Sequence, residues 1–441
     1  MTNSLSITDG TTTISLSGSG CILTGYSPSA PQYDADGNAP SVTETIQILI
    51  TESSVAAVQA KVNSINRLLR NARRARKGER DRAYLQLQTG ADVASWRSEI
   101  VSGRLELGAD AWTNLYQQQL DAALIVTRVP YWEGAEAEIE LSAKSFVGVG
   151  VTGGVTVKNY DSSVSYGNWV QIESDQIGGD LPAAVRLQLA NATGSSRTWS
   201  VYAAVNSQSD PDGFTHVIEA EDRLSGGTVT ADAAASDGNK LDFTISDSTQ
   251  SFSFTLSATF LQDTQGRPFR VLLSVLAASG SPVGTVRMEL RHPSTSATMW
   301  VGDDVPMLDG AGIVDLGVLP LPPGRYSDAY GALRLVLVFE GTGTWSLDYL
   351  QLMPTDALTK LESIVAVANG ATVVANSVED RAYLIASGAE YPYIVQSGGR
   401  LYLDPGVQQR ILFMATSSEA GPAIADTMTV RVWAAPRRSS I

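Results

Sequence analysis

Most of this chain alternates apolar residues with Thr, Ser and other polar residues, and one stretch departs from that two-residue period. Alternation is typical of a half-buried β-strand, whose successive side chains point to opposite faces. Such runs recur along the chain, with Gly, Asn, Asp and Pro turns between them. In residues 55–72 the apolar residues instead follow three- and four-residue steps, the period of an amphipathic helix. The sequence therefore predicts a mostly β protein with one amphipathic helix.

The predicted helix is also the most basic part of the chain. Ser53 and Ser54 are candidate N-caps, and Gly78 is a candidate stop. Between Lys61 and Arg82 lie nine Lys or Arg residues and two acids, in a chain whose formal net charge is -15. The basic face of the helix is either a solvated surface or a docking surface for acidic loops of a neighbouring subunit, and we favour docking. The candidate interface residues are Arg67, Arg70, Arg73, Arg74, Arg76 and Lys77.

A chain of 441 residues is too long for one ordinary hydrophobic core, so we expect several domains. Residues 1–145 are predicted to form a domain of strands with the helix, and a second short helix is expected near 112–123. Residues 146–353 read as short strands with turns, which predicts a jelly roll or two small sandwiches. Residues 354–441 are predicted to form a β-rich domain with a short helix near 355–365.

No catalytic or metal-binding motif is found in the sequence. His216 and His292 are the only histidines and lack metal-ligand spacing, and there is no nucleophile elbow or phosphate loop. We predict no enzymatic activity, no cofactor and no metal; a polysaccharide hydrolase using two carboxylates is the remaining enzymatic alternative. The Asp-rich stretches 209–213 and 302–304 could bind calcium, but Asx turns are the favoured interpretation.

Four tryptophans of the middle region suggest a second function. Trp199 and Trp345 each begin an alternating strand and are predicted to be core residues. Trp169 and Trp300 border loops, so they are the candidates for stacking on a host-surface glycan, although core packing is the commoner role of Trp in a sandwich.

The composition limits the compartment and the partners. An acidic chain argues against general nucleic-acid binding, because neutralising phosphates needs a positive surface. No apolar run approaches the roughly 18 residues of a spanning helix, so no membrane insertion is expected. The single Cys21 and the absence of a signal-like N-terminus predict a soluble protein made in a reducing cytoplasm.

Several strings resemble the distal tail proteins of long-tailed bacteriophages, which join the tail tube to the tail tip. The order is a strand pair, the helix, then 84–88, 96–100 and 127–134, with a looser likeness at 398–406 and 430–438. The resemblance covers roughly 1–140 well and 355–441 loosely; a tube, adaptor or decoration protein could share it. It implies that residues 1–145 form a β-sandwich with one amphipathic helix. It also implies a virion protein of the tail or baseplate, assembled in the host cytoplasm as a hexameric, homo-oligomeric ring with other tail proteins as partners. Residues 333–352 resemble the last strands of jelly-roll carbohydrate-binding domains, which implies an outward-pointing, glycan-binding sandwich.

Overall fold

The computed structural model describes fourteen stretches of the chain: 4–31, 41–75, 82–88, 95–109, 118–143, 152–161, 167–206, 217–256, 268–280, 283–292, 294–307, 311–319, 332–417 and 427–440. The contacts divide the chain into two compact units. The N-terminal unit comprises 1–137, 178–183 and 435–441, and the larger unit comprises 138–177 and 184–434. The division into domains at 145 and 353 stays a prediction.

The first elements along the chain are strands and one α-helix, α1. Their bounds are β1 (Ser4–Thr8), β2 (Thr13–Ser15), β3 (Cys21–Gly25), β4 (Val42–Thr51), α1 (Val55–Ala75), β5 (Tyr84–Gln88), β6 (Trp96–Leu107), β7 (Gln119–Arg128) and β8 (Trp132–Glu133).

Strand β6 joins two antiparallel sheets of the N-terminal unit. Its first half pairs with β5 in the order β2-β1-β5-β6, and its second half pairs with β7 in the order β3-β4-β7-β6. The register shifts between Ile100 and Ser102, where a bulge lets a strand bend from one sheet into the next. Strand β4 shows the expected alternation, with Ile46, Ile48 and Ile50 buried in the core.

Helix α1 covers this core with its apolar face. Val58, Ile65, Leu68, Leu69 and Ala72 are buried, as the helical period predicts. The Ala57 amide donates to Ser54 Oγ at 3.2 Å, which confirms Ser54 as an N-cap. The helix lies close to β6: a Cβ added at Gly103 would be 2.8 Å from Leu69 Cδ2.

The remaining elements are strands and one 3₁₀ turn, Ala220–Asp222. The strands are β9 (Ala137–Glu138), β10 (Ser142–Ala143), β11 (Val155–Lys158), β12 (Trp169–Ile172), β13 (Leu181–Asn191), β14 (Trp199–Asn206), β15 (Val217–Glu219), β16 (Thr228–Ala231), β17 (Asn239–Ser246), β18 (Gln250–Leu256), β19 (Phe269–Gly280), β20 (Val283–Arg291), β21 (Thr298–Val301), β22 (Val305–Met307), β23 (Gly312–Leu319), β24 (Ala332–Glu340), β25 (Thr342–Pro354), β26 (Leu358–Ser363), β27 (Thr372–Asn376), β28 (Arg381–Ala386), β29 (Ala389–Tyr391), β30 (Ile394–Gly398), β31 (Tyr402–Leu403), β32 (Gln409–Ser417) and β33 (Thr427–Arg438).

Two pairs of sheets make up the larger unit. The first pair has the orders β33-β13-β27-β28-β29 and β10-β12-β32-β14-β26-β30, so strands from before and after 217–354 lie in the same sheets. The second pair lies within 217–354, with the orders β16-β17-β25-β19-β23 and β18-β24-β20-β21. It encloses a core that includes Phe252, Phe254, Phe339 and Trp345. The chain is therefore mostly β, as predicted; the jelly-roll assignment stays a prediction.

Two short predicted helices are wrong where the structure describes them. The segment near 355–365 contains strand β26, which pairs with β14 on one side and β30 on the other. Leu358 and Leu361 have helical spacing, but sheet pairing on both edges satisfies the backbone and overrides that short pattern. The helix near 112–123 is contradicted from Gln119 onward by strand β7; the part up to residue 117 lies outside the described residues. No helix in the described stretches is long and apolar enough to cross a membrane.

Candidate assembly surface and charge sites

The exposed side of α1 carries four arginines opposite the buried apolar residues. We call Arg67, Arg70, Arg73 and Arg74 the cationic face; all four are exposed. Arg73 Nη2 donates to the Gly103 carbonyl oxygen at 2.8 Å. Arg67 and Arg70 make no salt bridge with any residue that the structure describes. Among the described residues, the charges of Arg67 and Arg70 are therefore not neutralised by a salt bridge. Arg76 and Lys77, the other two interface candidates, lie outside the described residues.

Another arginine of the N-terminal unit is paired inside the fold. Arg128 is fully buried, and its Nη2 donates to Glu44 Oε1 at 2.7 Å and to the Ser29 carbonyl at 2.9 Å. Glu44 also accepts from the Tyr26 hydroxyl at 2.7 Å. The guanidinium lies 4.5 Å from the ring centroid of Trp132. A buried charge needs ionic and hydrogen-bond partners, and these contacts tie the segment before β4 to β7.

A second ionic cluster holds the C-terminal residues of the same unit. Glu133 accepts from Arg437 Nη2 at 3.1 Å and from Arg97 Nη2 at 3.2 Å. Arg438 stacks 4.3 Å from the ring centroid of Trp96. These contacts bring together 96–97, 132–133 and 437–438, so three strings that carry the family resemblance meet in one place.

The two glycan candidates are half-buried and packed. Trp169 contacts the apolar cluster around Tyr202 and Met414, and the Arg410 guanidinium lies 4.1 Å from its ring centroid. Trp300 packs against the core of residues 217–354, on strand β21 at the end of its sheet. Its neighbours Met299 and Val301 are exposed. The structure does not bring the two tryptophans together, and their glycan role stays a prediction; Trp199 and Trp345 are core residues, as predicted.

Of the two Asp-rich stretches, only 302–304 lies within the described residues. In 302–304 the Asp304 carboxylate accepts from Arg287 Nη1 at 3.3 Å. The stretch 209–213 and His216 lie outside the described residues. His292 Nδ1 accepts from the backbone amides of Ser294 and Thr295 in an exposed turn.

An acidic cluster that no sequence motif indicates lies within residues 217–354, which form the second pair of sheets. Carboxylate oxygens of Glu219, Glu221 and Asp237 lie within 4.8 Å of one another. Ser236 Oγ donates to Glu219 at 2.7 Å, and the Ser236 amide donates to Asp348 at 2.7 Å. Glu219 Oε1 and both carboxylate oxygens of Glu221 are buried, and the Glu221 carboxyl contacts that of Asp237.

Burial decides the charge of this cluster. It raises the pKa of Glu219 to about 7, that of Glu221 to about 8 and that of Asp348 to about 6. Burial also acts on Asp237, but its contacts with Glu221 and the Asn239 amide lower the pKa of that carboxyl. The cluster therefore holds protons at neutral pH. Glu219 Oε1 and both oxygens of Glu221 are covered, although Glu219, Glu221 and Asp237 are each only partly buried as whole residues.

Comparison with known proteins yields structural likeness only. No protein-family model matches the chain, and no curated protein matches it. It is similar to the SPP1 Dit protein, described as a paradigm of hub adsorption apparatus in phages that infect Gram-positive hosts, at 7% identity and a TM-score of 0.32, with 99% of each chain covered. It is similar to a chain of the activated phage p2 baseplate with Sr, at 9% identity and a TM-score of 0.24, covering 94% of this chain and 98% of that one.

A weaker likeness is to an exo-β-1,3-galactanase of Phanerochaete chrysosporium, at 11% identity and a TM-score of 0.18, covering 73% of this chain and 84% of that one. All three TM-scores are below 0.5, so these likenesses carry no argument about fold or function.

Proposed function

We propose that this chain is a non-enzymatic structural protein of a bacteriophage tail, a distal-tail or baseplate ring subunit that joins the tail tube to the tail tip. Its partners are other copies of itself, in a ring that the family resemblance implies to be hexameric, and adjoining tail proteins. The observation that carries the proposal is the cationic face of α1, exposed on a folded unit of an otherwise acidic chain.

The charge balance favours a protein partner over a solvated role. Arg67 and Arg70 gain nothing from the described part of the fold, whereas Arg128 and Arg437 have buried carboxylate partners. A second copy supplies acids in excess, because the chain has 46 Asp and Glu against 31 Lys and Arg. One exposed ion pair contributes only about 0.2–1 kcal/mol, but a closed ring repeats the contact at every interface.

The strings behind the resemblance also support the proposal. Leu85 and Leu87 of β5, Trp96 and Ile100 of β6, and Trp132 of β8 belong to one core. They form this core together with the buried face of α1. The resemblance therefore involves residues that cooperate in one folded unit.

The test is ring assembly by the full chain. We expect wild-type protein to form closed rings in negative-stain electron microscopy and native mass spectrometry. Changing all four residues of the cationic face to Ser should shift it to monomers with an unchanged circular dichroism spectrum. Arg104→Ser is the matched control, since Arg104 is exposed on β6 and already paired with Glu106. Unchanged rings in the fourfold variant would show that the face is only solvated.

A carbohydrate-binding adhesin is the second candidate function. The exposed apolar residues Met299 and Val301 beside Trp300 favour it, because they lie on an edge strand that a ligand can reach. Glycan-array binding that is lost in Trp169→Ala or Trp300→Ala would support this function. Binding that survives both changes would show that these two tryptophans do not contact the glycan.

A further inference from the structure

Strand β30 lies at one edge of a sheet in the first pair. Among the described strands it pairs with β26 alone, at the end of that sheet. The Ile364 amide donates to the Tyr393 carbonyl oxygen at 3.0 Å, and the Gly399 amide donates to the Leu358 carbonyl oxygen at 2.7 Å. In an antiparallel ladder such bonds recur at every second residue. The odd-numbered residues of β30 therefore direct their backbone groups towards β26.

The even-numbered residues Ile394 and Gln396 direct their backbone N–H and C=O groups away from β26. Within the stretches that the structure describes, no hydrogen bond reaches these groups. A row of unpaired N–H and C=O groups is a template on which a further strand can pair. We call this side of β30 the open edge.

Apolar side chains are exposed on one face of the sheet beside the open edge. Val395 is 49% exposed, Tyr393 is 37% exposed, and Ile364, which is opposite Tyr393, is 63% exposed. Proteins commonly protect an unpaired edge with charged residues or proline, and β30 itself contains neither. An exposed apolar patch with polar surroundings is typical of a protein interaction site.

A polar cavity lies on the opposite face of the open edge. Its volume is about 230 Å³, and its lining includes Ile394 and Gln396 together with the charged residues Asp380, Arg381 and Arg400. We call this cavity the 380–400 cleft. Successive side chains of a strand point to opposite faces. A strand that pairs with the open edge therefore directs alternate side chains to the cleft and to the apolar patch.

The charges of the lining favour an acidic side chain in the cleft. Two guanidinium groups stand against the single carboxylate of Asp380, which accepts from Arg400 Nε at 2.8 Å. Arg381 binds Glu379 and Glu390, and neither of these carboxylates lines the cleft. A guanidinium held by one carboxylate keeps N–H groups for another acceptor. Charge complementarity therefore selects Asp or Glu on the cleft side of an added strand.

We propose that the open edge of β30 pairs with an extended segment of a partner protein in which apolar and acidic residues alternate. The apolar side chains pack beside Tyr393, Val395 and Ile364, and the acidic side chains enter the 380–400 cleft. The site belongs to the larger unit, and the proposal does not rest on ring assembly through the cationic face.

The first experiment measures the binding of fluorescent, capped octapeptides to the full chain by fluorescence anisotropy. One series alternates valine or tyrosine with glutamate, and a matched series has lysine in place of glutamate. We expect the glutamate peptides to bind at least about tenfold more tightly, and less so as salt is raised. Changing Arg381 and Arg400 to Gln should remove this preference. Arg104→Gln is the matched control, since Arg104 is an exposed arginine paired with Glu106.

The second experiment tests backbone pairing with Gln396→Pro. Proline removes the N–H group of residue 396, and the ladder with β26 stays intact because that group points away from β26. We expect the glutamate peptides to bind at least about tenfold more weakly, with an unchanged circular dichroism spectrum. Gln396→Ala keeps the N–H group and should bind them more tightly than Gln396→Pro does. In wild-type protein, amide hydrogen exchange in 394–398 should slow when a glutamate peptide binds.

Three results would overturn the proposal: no glutamate peptide binds, lysine peptides bind equally well, or Gln396→Pro binds as wild type does. Oligomers of the full chain that Gln396→Pro dissociates would assign the open edge to a second copy, and would overturn a separate partner. Peptide binding should persist in the fourfold variant of the cationic face. Failure of ring assembly and failure of this site are therefore distinguishable.

Discussion

The acidic cluster predicts that the chain becomes less stable as the pH rises through neutrality. A glutamate carboxyl that is free in water has a pKa of 4.5, and burial raises this value to about 7 for Glu219 and about 8 for Glu221 in the folded protein. Below about pH 4.5 both carboxyls are protonated in either state, so the folded state keeps its full advantage. As the pH rises through 7 and 8, the folded state must ionise buried carboxyls and this advantage is lost.

The size of the effect follows from the two pKa values. At about 1.36 kcal/mol per pKa unit, a rise from 4.5 to about 7 would be worth roughly 3 kcal/mol for a fully buried group. Both side chains are partly exposed and titrate together with Asp237 and Asp348, so solvent screening reduces the total. We expect the free energy of unfolding to be about 2 kcal/mol higher at pH 5.5 than at pH 8.5.

The assay compares Glu221→Gln with wild type. Glutamine imitates the protonated carboxyl at every pH, so the variant should lose about half of the pH dependence, roughly 1 kcal/mol. Urea unfolding at pH 5.5 and 8.5, followed by tryptophan fluorescence, gives the free energies, and the double difference cancels titrations elsewhere in the chain. Asp222→Asn is the control, because Asp222 is the exposed neighbour outside the cluster.

Two results would contradict this prediction: Glu221→Gln keeps the whole pH dependence, or Asp222→Asn reduces that dependence as much as Glu221→Gln does. In either case the burial of these oxygens would not control their protonation.

Further predictions concern the N-terminal unit. Arg128→Met should lower the free energy of unfolding by about 3–5 kcal/mol in urea denaturation, because Glu44 is left charged and buried; adding Glu44→Leu should recover most of the loss, and no recovery would contradict the pairing. Gly103→Ala should cost about 1–3 kcal/mol in the same assay, since the new methyl group would lie 2.8 Å from Leu69 Cδ2; a neutral result would mean that α1 can move away from β6. Ring formation should weaken between 50 mM and 500 mM salt in light scattering, as expected of exposed ion pairs; a salt-independent ring would point to apolar contacts instead.

Local period was sufficient to predict most of the fold. Alternation within strands such as β17 and β18, and the three- and four-residue steps within α1, are patterns that are each complete within one short window. The cationic face was predictable for the same reason, since helix geometry alone brings residues three and four apart to one side. The strand at Leu358–Ser363 was not, because its pairing with distant strands decides it.

A site assembled from distant segments has no pattern within one short window of the sequence. Glu219 and Asp348 come together only through the pairing of β15 with β25, which joins residues 130 positions apart at Glu219 and Tyr349.

The arginines that pair with carboxylates inside the N-terminal unit differ from those of the proposed assembly surface, and this separation makes the assembly test interpretable. Arg97, Arg128 and Arg437 bind carboxylates within the N-terminal unit, so replacing them destabilises the fold and any loss of rings would be indirect. Arg67 and Arg70 have no such described partner. Replacing these two with Ser should therefore change the free energy of unfolding by no more than about 0.5 kcal/mol, as for other exposed sites, while weakening the ring. A large loss of stability in Arg67→Ser/Arg70→Ser would show that the face serves the fold rather than a partner.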